Sequence, residues 1–154
     1  IDLAHWFFGP LTDFEVVSKA VLYPYRKIDG KLCQATAEDY VFVKATGVDG
    51  IKIVFQADLL SASFCQYVEI LAENGNLMGS IQKDIPSFLF LKESRNPYNI
   101  GKTILETSQS NFLDMQMNAF INSVRQKEIN DRNSIGDSLA VSQYLDQIRR
   151  KANE

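Results

Sequence analysis

Tyr40-Val41-Phe42-Val43-Lys44-Ala45-Thr46, Gly47-Val48-Asp49-Gly50 and Ile51-Lys52-Ile53-Val54-Phe55-Gln56-Ala57-Asp58-Leu59 form the stretch that decides the fold. In its last run Ile51, Ile53, Phe55 and Ala57 share one face. Lys52, Gln56 and Asp58 take the other, with Val54 the exception. Alternation of this kind marks a strand with one face in a core. The four residues between the two runs tolerate positive φ, so the runs are expected to pair as a hairpin.

Working outward, Gln66–Ala72 and Leu77–Gln82 flank Glu73-Asn74-Gly75-Asn76 and predict a second hairpin. Asp13–Tyr23, rich in β-branched residues and ended by Pro24, reads as a strand, and Ser87–Lys92 as another. Pro24–Asp39 shows little periodicity and reads as a loop. The period then changes. Leu113, Met117, Phe120, Ile121 and Val124 recur every three or four residues, which predicts a long helix over Thr107–Gln126, broken at Asn130–Asn133. Ser134 followed by Asp137 looks like a capping box, and Val141, Tyr144, Leu145 and Ile148 form the stripe of a last helix. Ile1–Phe8 reads as a helix stopped by Gly9 and Pro10, with Gly9 as a left-handed cap. It shows no N-cap residue, so the chain is expected to be a piece of something longer.

Strands first and helices segregated give an α+β fold. The expected form is an open, mainly antiparallel or mixed sheet of about six strands, with helices packed on one face. The other face would then serve as a docking surface, for another domain or for a second copy of the chain.

The 154 residues suit a single domain, 45% hydrophobic and 23% charged, with a net charge of −3. A mildly acidic chain argues against nucleic acid or anionic membrane as partner. The basic run Arg149-Arg150-Lys151 closes a helix, where cations offset the macrodipole. No apolar run reaches the length of a membrane span. Cys33 and Cys65 have no metal or redox spacing, which fits two incidental thiols in a cytoplasmic protein, with a bond between them left open.

Phosphate-binding glycine motifs and metal-ligand clusters are absent from the sequence. Three residues are weak candidates for a site. His5, the single histidine, could act as a general base, but packing beside Trp6 is the commoner role. Asn111 and Asp114 stand at the start of the long helix, where free N–H groups favour anionic or hydroxylated ligands; for Asp114, complementing the dipole on a solvated face is the blander role. Glu38-Asp39 reads as a solvated strand entry.

Several of these segments, in this order, resemble the C-terminal domain of the glucose–fructose oxidoreductase / inositol dehydrogenase / MocA family. IDLAHWFFG (Ile1–Gly9) is similar to the family stretch D-x-x-x-H-x-x-D followed by W and G, with Asp2 as the last Asp and Trp6 and Gly9 in place. Glu38-Asp39-Tyr40 resembles its strand entry, Val68–Leu77 its hairpin, and Asp114–Val124 its long helix. Gln116 stands where an acid is common, and the hairpin lacks an earlier glycine.

The resemblance implies a parent enzyme that oxidises or reduces a sugar, polyol or related hydroxy compound. Its NAD or NADP would be bound by an N-terminal Rossmann domain outside this chain. The main catalytic residues, a Lys and a His, would also lie outside it, the His just before Ile1. This chain would be the substrate-side and oligomerisation domain, inactive alone. Its partners would be the small-molecule substrate, its own N-terminal domain and further copies of itself, met through the open sheet face. The alternative is a non-catalytic regulatory or protein-binding relative of the same architecture. A third reading is an unrelated α+β domain holding a small apolar molecule.

Overall fold

The computed structural model describes residues 1–80, 82, 84–106, 111–127 and 134–153, with Phe112 described in its backbone only. The described residues form α1 (Asp2–Phe8), β1 (Thr12–Ala20), β2 (Tyr25–Ile28), β3 (Lys31–Gln34), β4 (Tyr40–Thr46), β5 (Lys52–Asp58), β6 (Val68–Ala72), β7 (Gly75–Gly79), β8 (Ser87–Leu91), β9 (Gly101–Leu105), α2 (Phe112–Gln126) and α3 (Ile135–Ala152). The fold is α+β, and every strand pairing is antiparallel. The strands number nine rather than six among the described residues, and they lie in three sheets: β1-β4-β5, β2-β3 and β6-β7-β8-β9. The chain groups into two units, Ile1–Leu60 with Asn118–Glu154, and Ser61–Met117.

In the first unit the β4–β5 hairpin holds the expected register. Val43 faces Phe55 and Ala45 faces Ile53, so alternate residues of both strands share one surface. A short 3-10 turn, Val48–Gly50, joins them, with Asp49 at φ 58. On the other side β1 pairs with β4 through two irregularities, between Thr12 and Glu15 and between Val16 and Ser18. Bulges of this kind add twist. The core on the shared surface is Leu11, Phe14, Val43, Ala45, Ile53 and Tyr144 of α3, with Ile1, Ala4, Phe8, Val41 and Phe55 partly buried around it. Phe14 is 1% exposed and anchors it. Helices α3 and α1 therefore cover one face of this sheet, α3 lying on β1 and α1 on α3.

The β2–β3 ribbon occupies part of the segment read as a loop. Its turn is Asp29-Gly30, with φ 49 and 80, the positive pair a two-residue hairpin requires. Charged side chains at Arg26, Lys27 and Lys31 hide the strand alternation. Gly9 ends α1 at φ 68 and ψ −161, so its cap is not the left-handed helical one expected but an extended positive-φ form. That region is essentially restricted to glycine, and a Cβ there would lie 2.8 Å from Val48 Cγ2.

The second unit contains a four-stranded meander. Glu73-Asn74 is the two-residue turn between β6 and β7, since Ala72 pairs with Gly75. Ser87 and Leu91 are buried on β8, and the Ser87 hydroxyl accepts the Ser80 N–H at 3.0 Å. Strand β9, which starts at a glycine, is a further one that sequence periodicity did not mark.

The long helix begins at Phe112. The expected start at Thr107 and the break at Asn130–Asn133 lie outside the described residues. Its apolar stripe is exposed, with Leu113 at 73% and Phe120 at 62%. Helix α3 starts with the expected capping box: Asp137 N–H donates to Ser134 Oγ at 3.1 Å, and Ser134 N–H donates to Asp137 Oδ2 at 3.0 Å.

Candidate functional site

One cluster of chemistry-bearing side chains centres on His5. Helix α1 points it at α3, where Tyr144 lies on the buried stripe and Asp137 in the first turn. The Tyr144 hydroxyl lies 3.1 Å from His5 Nδ1, and His5 Nε2 lies 3.4 Å from Asp137 Oδ1. Leu11 N–H donates to the Tyr144 oxygen at 3.1 Å.

With its single proton on Nε2, the neutral His5 ring donates to the Asp137 carboxylate and accepts the Tyr144 hydroxyl proton at Nδ1. The chain of bonds thus runs from the Leu11 amide to Tyr144, to His5, to Asp137. The Ser134 hydroxyl, then its backbone N–H, and then His5 hold the Asp137 carboxyl below its ordinary value of 3.8, against the opposing effect of burial. Ring packing reinforces the cluster: Tyr144 lies 5.3 Å from Phe14 and 5.6 Å from His5, centroid to centroid.

A second polar cluster ties the β2–β3 ribbon to the main sheet. The Asp39 side chain is 1% exposed, so the expectation of a solvated strand entry is corrected. Tyr23 N–H donates to Asp39 Oδ2 at 2.7 Å, and the Arg26 guanidinium donates to Oδ1 and to the Ala37 carbonyl. The Tyr23 amide foremost, and then the Arg26 charge, hold Asp39 below 3.8, while burial pushes the other way. Arg26 reaches Asp39 because the ribbon folds back, which a loop reading could not show.

Asn111 and Asp114 stand together at the start of α2, in the second unit, whereas His5 belongs to the first. Asn111 Oδ1 accepts the Leu113 N–H at 3.1 Å, so Asn111 caps the helix. Asp114 is exposed in the first turn, where a negative charge complements the dipole. Cys33 and Cys65 are free thiols.

Sequence reasoning singled out His5 but missed both of its partners, which lie 132 and 139 residues away. The available signals were a tyrosine on the apolar stripe of α3 and an acid in its capping box. Neither says what it meets. Chemically, the cluster orients: each polar group has a protein partner, and Tyr144 is buried. Among the described residues no buried side-chain nitrogen or oxygen is unpartnered, no group of three or more His, Cys, Asp and Glu could hold a metal, and no helix is long and apolar enough to cross a membrane.

Comparison with known proteins finds no family model that matches the sequence and no match among curated proteins.

Proposed function

We propose that this chain is the substrate-side domain of an NAD(P)-dependent oxidoreductase acting on a sugar, polyol or related hydroxy compound. The observation that carries the reading is the fold of Ile1–Gly9, one of the segments that carry the family resemblance. It forms one short helix with Asp2 in its first turn, and it ends at a glycine whose φ of 68 and closeness to Val48 exclude a side chain. The order helix, antiparallel strands, two helices supports it further.

In this reading NAD or NADP is bound by a Rossmann domain outside the chain, in a cytoplasmic protein. Hydride passes between a carbinol carbon and the nicotinamide, while a residue outside this chain exchanges the hydroxyl proton. The present residues shape the wall around that carbon, with Asn111 and Asp114 as candidate polar contacts. Exposed apolar sheet residues such as Val54 and Ile104 supply contacts between copies.

The test uses nicotinamide turnover. The purified chain is expected to give none with NAD or NADP and a panel of polyols and sugars, and a longer gene product containing it is expected to oxidise at least one. Turnover by the 154-residue chain, or none by the longer protein across the panel, refutes the proposal. The exposed stripe of α2 favours a second reading, a regulatory relative that binds protein through that face. A longer product lacking the Lys and His that the resemblance requires would favour it.

A further inference from the structure

We infer that α1 is a latch whose docking is read at the first turn of α3, because both depend on one carboxylate, that of Asp137. Its Oδ2 accepts the Ser134 N–H at 3.0 Å and the Ser134 hydroxyl at 2.8 Å, which closes the capping box. Its Oδ1 lies 3.4 Å from His5 Nε2 on α1. The inference concerns coupling within the first unit and stands apart from the oxidoreductase reading.

Helix α1 has no fully buried residue. It is held by Ile1, Ala4 and Phe8 against the core and by His5 against α3.

The bond chain described above crosses this contact twice, at Tyr144 and at Asp137. Lifting α1 removes the His5 partner of the Tyr144 hydroxyl in the middle of α3 and the His5 partner of the Asp137 carboxylate at the start of α3. The Ser134–Asp137 pair remains, but its carboxylate is no longer pinned from outside the helix. The first turn of a helix has few bonds of its own, so it registers this loss before the rest of α3 does.

Native-state hydrogen exchange on the whole chain tests the coupling. In the wild-type protein the His5 amide, bonded to the Ile1 carbonyl at 3.0 Å, reports α1. The Asp137 amide, bonded to Ser134 Oγ, reports the first turn of α3. The two are expected to open together, with the same dependence on urea; different dependences overturn the inference. His5→Ala is expected to speed exchange at Asp137 and Ser138 about fivefold, the loss of one hydrogen bond, while the amides of β4 and β5 keep their rates. Leu3→Ala, on the exposed side of α1, should change neither set. Unchanged exchange at Asp137 and Ser138, or an equal acceleration along β4 and β5, refutes the latch. The ring 15N shifts of His5, unambiguous because the chain has one histidine, should show the proton on Nε2. A proton mainly on Nδ1 would break the directional chain.

Discussion

Tyr144→Phe removes one oxygen and leaves the ring. The ring is 7% exposed and packs on Phe14 at 5.3 Å, so the substitution opens no cavity beside the core. What changes is hydrogen bonding. Leu11 N–H, in a residue 4% exposed, loses its acceptor at 3.1 Å. A buried donor left without a partner costs about 1–3 kcal/mol. His5 Nδ1 loses a donor as well, but its ring is close enough to solvent for water to replace part of that bond. The expected loss is therefore about 2 kcal/mol, dominated by the Leu11 amide. For a chain of this length it lowers Tm by about 4–8 °C. Tyr144→Ala, which also empties the ring site, should cost about 3–5 kcal/mol. Urea denaturation followed by circular dichroism measures both, with m unchanged for the Phe variant because the exposed surface on unfolding is the same. A Tyr144→Phe protein within about 0.5 kcal/mol of wild type would refute the reasoning, since that is the size of a neutral surface change. A loss equal to that of Tyr144→Ala would assign the whole cost to the hydroxyl and none to the packing of the ring.

Three further expectations follow from the same geometry. Gly9→Ala forces a Cβ into Val48 at an extended positive-φ position and should cost about 1–3 kcal/mol in the same assay; an unchanged midpoint would refute the backbone argument. Asp39 and Asp137 are both held below 3.8 in the folded chain, so their contribution is complete above that value and is lost as pH falls through their lowered folded values. Asp39→Asn should therefore be less stable at neutral pH and lose less on acidification below 3.8, and a slope there identical to wild type would count against the buried clasp. Phe120→Gln, on the exposed stripe of α2, should move stability by less than about 0.5 kcal/mol in the isolated chain; a large loss would show the stripe to be covered.

The elements most legible in the sequence are those whose signal is local. The alternation in Ile51–Ala57 and the turn residues before it give the β4–β5 hairpin, because side chains on a strand face opposite ways at every step. Ser134 and Asp137, three apart, give the start of α3, because a capping box is closed within one turn. Ribbon β2–β3 was not legible in the same way. Its Asp29-Gly30 turn is a hairpin signal, but lysines and arginine on both sides mask the period of two, and the ribbon is held to the sheet by Arg26 on Asp39 rather than by an apolar face. The short β9, opening on a glycine, carries equally little pattern.

The site divides along the same line. By itself the sequence determined the residue types: one histidine on a short helix, a tyrosine on an apolar stripe, an acid in a cap, and an acid before β4. Each has an ordinary local role. Only the tertiary structure decided that His5 lies between Tyr144 and Asp137, and that Asp39 is buried under Arg26 instead of solvated. The reason is physical. Hydrogen-bond direction and burial depend on which surfaces the core draws together across more than a hundred residues of chain, and a sequence pattern reports only neighbours within a turn or a hairpin.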